Sequence, residues 1–288
     1  MNGQGIRERA FIGLQHLLPQ HFLSRLVRSL ARARPGWLRI ALIRGFLRLY
    51  PVNLAEAERD DPAAYESFND FFTRRLRAGA RQVDQAPRAV ACPVDGYVSQ
   101  AGWLAGDSIL QAKGISYSAT SLLGGGAALG AQFAGGSHAT FYLAPHNYHR
   151  VHMPLAGTLR LARLVPGDLF SVNAVTAANV PGLFTRNERI ACVFDTAAGP
   201  MAIVLVGALF VGSMSLSWAA EPRAPRPGVM LDLPAPRPAM TLDKGAELGW
   251  FNMGSTVILM FARGGPGLAE GLIPGRAVWM GECIATLP

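Results

Sequence analysis

Three of the six histidines of this 288-residue chain fall within seven positions, in Leu143-Ala144-Pro145-His146-Asn147-Tyr148-His149-Arg150-Val151-His152-Met153-Pro154. Imidazole is the side chain best suited to moving protons near neutral pH, so His149 and His152 are candidate acids or bases. On an extended strand these two point to opposite faces, whereas in a turn they converge. A metal site is a second reading, but no Cys, Asp or Glu lies inside the segment to complete one, and no metal is expected. A purely structural role is the third.

Two other segments carry a group that could join such chemistry. Asp95 sits in Cys92-Pro93-Val94-Asp95-Gly96. A carboxylate there either closes a local turn or orients a histidine in a triad. Ser255 sits in Asn252-Met253-Gly254-Ser255-Thr256-Val257-Ile258. Its hydroxyl could be a nucleophile, and Gly254, without a Cβ, could adopt a strained turn and admit an attacking atom. The same residues also read as a plain turn into a strand. No G-x-S-x-G elbow, P-loop or dinucleotide fingerprint accompanies them.

The elements that must position these residues change character along the chain. Residues 5–50 carry apolar residues at helical spacing: Ile6, Ala10, Leu14 and Leu17, then Phe22, Leu26 and Leu30, then Trp37, Ile40, Phe46 and Leu47. Pro19 and Pro35-Gly36 punctuate three helices. A further helix is expected from Asp60-Asp61-Pro62 through Tyr65, Phe68, Phe71 and Phe72. From about residue 88 short β-branched runs dominate: Tyr97–Ala101, Thr140–Leu143, Leu159–Val165, Ile190–Phe194, Met201–Val206 and Val257–Phe261. The fold class is therefore α+β: N-terminal amphipathic helices followed by a β-rich domain, with a boundary near residues 87 and 88. The proline-rich stretch Glu221–Pro238 is a loop.

Composition narrows the partners. Half the residues are apolar and only 16% are charged, so a large core can be buried. Of the net charge of +8, residues 1–50 hold nine arginines against one acid, Glu8. Basic, Trp-bearing amphipathic helices suit an anionic membrane interface; a nucleic-acid groove fits their apolar content less well. Three scattered cysteines offer neither a zinc ribbon nor a disulfide framework. Arginines interrupt every early apolar run, which argues against a secretory signal. Thr196–Ala220 is uncharged, but its period-two alternation and its glycines favour buried strands over a membrane span.

Taken together, these segments resemble the phosphatidylserine decarboxylase proenzymes of the prokaryotic, pyruvoyl-dependent type. The resemblance rests on Phe68-Asn69-Asp70-Phe71-Phe72 with Arg75-Leu76-Arg77, Pro93-Val94-Asp95-Gly96, Ile109-Leu110-Gln111-Ala112-Lys113-Gly114 and Tyr148-His149-Arg150-Val151-His152-Met153-Pro154. It continues in Val165–Asn173, Leu183–Arg189 and Gly254-Ser255-Thr256. Departures are Met253 for the usual Leu, Asn147 for the usual Asp, and Leu209-Phe210 where a Thr often stands.

The resemblance implies a self-cleaved enzyme. Asp95, His152 and Ser255 would form the self-cleavage triad, and the bond between Gly254 and Ser255 would be cut. Ser255 would become a covalent pyruvoyl cofactor and the Schiff-base site for the substrate amine, with His149 serving the decarboxylation. The fragments 1–254 and 255–288 would stay together as a heterodimer. Residues 1–87 would be a basic helical membrane-associating region and 88–288 the catalytic domain. The substrate would be phosphatidylserine, the products phosphatidylethanolamine and CO2, and the location peripheral, on the cytoplasmic face of the cell membrane. Competing expectations are pyruvoyl chemistry on free amino acids, a lipid-binding protein without activity, and a serine hydrolase built from Ser255, Asp95 and His152.

Overall fold

The computed structural model describes residues 3–288 apart from 211, 212 and 237, with the backbone alone for residues 3–7, Arg9 and Ser255. Three helices open the chain, α1 (Gly3–Leu17), α2 (Gln20–Ala31) and α3 (Gly36–Leu49). Pro19 and Pro35 stand directly before α2 and α3, where a missing N–H leaves no helical bond unmade.

The amphipathicity of α1 and α2 is turned inside out. Their buried residues include Gln15, Gln20 and Ser24. Gln15 Oε1 accepts from Ser171 N (2.8 Å), Gln20 Oε1 from Leu169 N (2.7 Å) and Ser24 Oγ from Phe210 N (3.2 Å). Leu14, Leu17, Phe22, Leu26 and Leu30 face outward, Leu17 with 83% of its surface exposed. Burying such a side chain is worth about 1.5–3 kcal/mol, and this fold leaves that stabilisation unused. Trp37 and Leu49 at the two ends of α3 are likewise exposed, while Ile43 is fully buried.

The expected helix from Asp60 through Phe72 is two pieces. Asp61 Oδ1 accepts from Ala63 N and closes a single 3-10 turn over Pro62–Ala64; the chain is extended at Tyr65; Ser67 then caps α4 (Phe68–Phe72) by accepting from Asp70 N. Two capping residues within seven positions compete with one continuous helix, and the aromatic spacing hid this. The aromatics of α4 pack with Tyr65, Phe46 and Ile43 in a cluster that also takes in Met253.

All six expected strand segments lie in strands. They are β1 (Gly96–Trp103), β2 (Ser137–Leu143), then, after a short β3 (Arg150–His152), β4 (Gly157–Val165), β5 (Arg189–Thr196) and β6 (Gly199–Val206). Two short strands, β7 (Met214–Leu216) and β8 (Glu247–Phe251), precede the last of the six, β9 (Ser255–Phe261). The uncharged stretch Thr196–Ala220 thus holds the end of β5, all of β6 and β7 and the turns between them, apart from Val211 and Gly212, which lie outside the described residues, and no described helix is long and apolar enough to cross a membrane.

The main sheet runs β4-β5-β6-β9-β2-β1, flanked by Leu231–Asp232 and Ala277–Val278. Every pairing named within it is antiparallel. Both faces of its centre are covered: Val257, Leu259 and Phe261 enter one core cluster, Ile258 and Met260 another. Two-sided burial explains why β6 and β9 read as continuous apolar runs rather than alternating ones. A smaller sheet, β7-β8-β3, packs beside the site.

Candidate active site

Two loops meet because the strands on either side of them pair. The loop of residues 144–149 leaves β2 and enters β3. The loop of residues 252–254 leaves β8 and enters β9. β9 pairs with β2, placing Ser255 opposite Leu143, and β8 pairs with β3, placing Trp250 opposite Arg150. Phe251 N donates to His149 O at 3.0 Å, so the histidine segment runs alongside the approach to Gly254 and Ser255. Asn252 pins its loop from two sides: Nδ2 reaches Ser213 O and Ser215 Oγ, and Oδ1 accepts from Asn69 of α4. Met253 packs between the α4 cluster and a core face of the sheet.

Gly254 departs from expectation in one respect. Its φ is not in the left-handed region, so the strained turn is absent. A Cβ built there would meet nothing within 4 Å, so the open space beside the bond is present. A turn here needs no left-handed residue because β8 and β9 belong to different sheets and three residues span the step.

The two histidines sit in different surroundings. His149 is fully buried, its ring 4.1 Å from that of Phe72. Its Nδ1 bonds the Asn147 carbonyl at 2.8 Å. A carbonyl only accepts, so Nδ1 carries the proton and Nε2 is a bare lone pair, and that atom is buried without a partner. Burial first, then the nearby Arg74 cation, push His149 down to about 3, which keeps it neutral. His152 Nδ1 bonds the Gly245 carbonyl at 2.8 Å, so its Nε2 is also the acceptor, but Tyr148 Oη donates to it at 3.0 Å. Burial lowers the pKa of His152 as well.

Asp95 is placed beside the histidine segment without touching either imidazole. His152 N donates to Pro93 O, two residues before Asp95, at 2.9 Å. The Asp95 carboxylate instead accepts from Arg81 Nε (3.0 Å), Arg81 Nη2 (2.6 Å) and Met280 N (2.8 Å). Burial lowers the pKa of Arg81, but the bonds to Asp95 and then Glu56 outweigh it and hold the guanidinium charged. The expected Asp95–His152 hydrogen bond is therefore absent from this arrangement, because a cation offers Asp95 a stronger bond than a neutral imidazole does. Asp95, Arg81, Arg74 and Tyr148 line a cavity of about 180 Å³ closed on its other sides by Glu56 and Trp279.

Tyr148, Arg74 and Arg81 escape a search for acids, bases and nucleophiles. Arg74 is buried, donates to the carbonyls of His146 and Asn147, and leaves Nε and Nη1 without partners. The signal for Tyr148 lies in its spacing, four residues before His152 on the approach to β3.

A family model described as phosphatidylserine decarboxylase matches residues 68–286, spanning α4, the main sheet and the segments that hold Asp95, His149, His152 and Ser255, and a second, described as PSD, matches residues 10–51. The chain belongs to the phosphatidylserine decarboxylase family. It is similar to proteins named phosphatidylserine decarboxylase proenzyme from Ectopseudomonas mendocina (50% identical, covering 97% of this chain and 98% of that one) and Pseudomonas paraeruginosa (52%, 97% of each). The protein of that name from Pseudomonas entomophila is 51% identical, over 97% of this chain and 98% of its own. Both the helices and the β-rich part thus lie within the family likeness.

Proposed function

We propose that this chain cuts itself between Gly254 and Ser255, carries a pyruvoyl group at position 255, and decarboxylates phosphatidylserine to phosphatidylethanolamine at an anionic membrane surface. The observation that carries the reading is the pairing of the 252–254 loop with a segment that holds two neutral, proton-accepting histidines.

In the cleavage step His152 takes the Ser255 hydroxyl proton after Tyr148 turns its O–H away from Nε2. The Ser255 oxygen bonds to the Gly254 carbonyl carbon, the peptide C–N bond breaks, and the freed nitrogen takes a proton, leaving an ester. Abstraction of the Ser255 α-proton expels the Gly254 carboxylate. The resulting dehydroalanine tautomerises, and water replaces its nitrogen, which leaves as ammonia. Asp95 acts in this scheme by fixing Arg81 and the Pro93 turn that ties the His152 backbone, and so positions the base indirectly.

The residues around position 255 fit a pyruvoyl group: the buried Nε2 of His149 and the buried Oγ1 of Thr256 both lack partners. Once formed, the group supplies an electron sink for the pair left when CO2 departs. His149 Nε2 takes the proton that the substrate ammonium gives up and returns it to the carbon that CO2 leaves, and Phe72 keeps water from its ring. The outward apolar faces of α1 and α2, the exposed Trp37 and the nine arginines among residues 1–50 support docking on anionic lipid. Substitution of Ser255→Ala should give a single uncut chain without decarboxylase activity; a cut Ser255→Ala chain would contradict the assignment.

A further inference from the structure

The largest cavity of those described on the molecule lies outside the catalytic loops. It measures about 700 Å³ and opens between α2 and the proline-rich loop that begins at Glu221. Four arginines line it, Arg25 and Arg28 from the helix and Arg223 and Arg226 from the loop, against two carboxylates, Glu188 and Glu221. Glu221 is already committed, its carboxylate bridging Arg28 and Arg32. Among the described residues, Arg25, Arg223 and Arg226 meet no carboxylate. Burial lowers the pKa of Arg28, and the neighbouring Arg223 cation lowers it further, in keeping with the four arginines that share this lining. Glu188 offsets only part of that charge, since burial pushes its carboxyl up to about 7.

The outer surface nearby has the opposite character. Phe22, Leu26 and Leu30 of α2 stand exposed on the outward side of the helix, away from the flank that carries His21, Ser24, Arg25 and Arg28 into the pocket, and Val229 and Met230 stand exposed just past the end of its loop wall. Two non-glycine residues with positive φ flank it: Glu221 at 44°, whose N–H is held by Ser215 Oγ, and Phe210 at 68°, whose N–H is held by Ser24 Oγ. Such backbone persists only where its surroundings dictate it, and the two bonds show what dictates it here. A cationic pocket beside a helix whose outward side is apolar matches one kind of ligand, an anion joined to hydrocarbon.

We propose that this pocket binds the phosphodiester of an anionic glycerophospholipid in the bilayer, its acyl chains lying along the exposed face of α2. This rests on the membrane reading above and gives it a defined site. The pocket also borders one of the catalytic loops. Ser213, which lines it, accepts through its carbonyl from Asn252 N, three residues before Ser255.

The test uses the full-length protein and vesicles of phosphatidylcholine with and without phosphatidylglycerol, an anionic lipid that is not the substrate. Arg223→Gln with Arg226→Gln should weaken binding to the anionic vesicles about tenfold or more, from the loss of two arginines near the surface. Arg223→Lys with Arg226→Lys should restore much of it. The control, Arg160→Gln with Arg263→Gln, removes equal charge at the opposite end of the main sheet and should change binding less than about twofold. Equal losses in the two glutamine pairs would mean diffuse attraction and overturn the proposal. Displacement of the protein from vesicles by inorganic phosphate would identify a free-phosphate site and overturn it too. Cleavage of the wild-type chain is read by mass in the same samples, so failure of the pocket and failure of the self-cleavage reading are told apart.

Discussion

At the residue scale, the chemistry turns on which imidazole nitrogen is bare. Both His149 and His152 donate Nδ1–H to a carbonyl, and both present Nε2 as a base. Only His152 has that nitrogen held by a hydroxyl, from Tyr148, at 3.0 Å. If His152 serves cleavage and His149 the later reaction, the two substitutions separate. His152→Ala should leave the chain uncut, whereas His149→Ala should be cut and then fail to release CO2. Gel mobility and CO2 release from the same preparations check this, and an uncut His149→Ala would merge the two roles. Asp95 belongs to a buried ion pair, with side-chain exposures of 2% for Asp95 and 9% for Arg81. Removing one partner of such a pair typically costs 3–5 kcal/mol; about 3 is expected for Asp95→Asn because Glu56 still faces Arg81. Urea unfolding in a Ser255→Ala background measures it without interference from cleavage; a loss under about 1 kcal/mol would show that Arg81 does not depend on Asp95.

At the element scale, the strands were legible because β6 and β9 are buried on both faces and read as unbroken Ile, Val, Leu and Met. The helices were legible from their spacing, although spacing alone does not tell an inward apolar face from an outward one. Only the bonds of Gln15, Gln20 and Ser24 to the β-rich part reveal that α1 and α2 are inverted. The candidate site was readable as three separate motifs, since His152, Asp95 and Ser255 lie far apart in sequence. Its wiring was not readable, because Arg81 and Tyr148 compete for the partners that the motifs suggest. Inversion carries a prediction. Phe22→Gln with Leu26→Gln changes residues 57% and 59% exposed, so the melting temperature should hardly move. Binding to anionic vesicles should fall about tenfold or more, from loss of the apolar contribution to the interface. A large drop in melting temperature with unchanged vesicle binding would mean that these side chains pack within the protein.

At the scale of the whole molecule, burial of neutral histidines sets the acid limit of the fold. The ordinary histidine value is 6.5; burial takes His138 down to about 4 and His149 to about 3, and lowers His152. Below 6.5 the unfolded chain binds protons that the folded chain refuses, so stability falls by roughly 1.4 kcal/mol per pH unit for each such group. Glu188 acts in the opposite sense. Raised from 4.5 to about 7, it is protonated when folded and charged when unfolded between those values, so it adds stability as pH falls. His146 is lowered and Glu282 raised as well, so four histidines stand against two glutamates and leave a net loss between pH 6.5 and 4.5. The melting temperature should decline across that window, and His138→Gln should make the decline shallower. A melting temperature constant from pH 7 to pH 5 would contradict this balance.

The same interior explains how a cut chain would hold together. β9 opens the 255–288 fragment and is paired on both sides, to β2 and to β6. Burial of Val257, Ile258, Leu259, Met260 and Phe261 contributes on the order of 10 kcal/mol as an upper bound. Cys283–Thr286 adds a further pairing, to Ala89–Ala91. Loss of the peptide bond at 254 leaves all of these contacts in place. The most direct test of the account is the intact mass of the purified wild-type protein under denaturing conditions. Two chains are expected, 1–254 and 255–288, the smaller lighter by one ammonia than the same fragment beginning with serine. A single chain of 30.8 kDa, or a small fragment with an ordinary N-terminal serine, would contradict it.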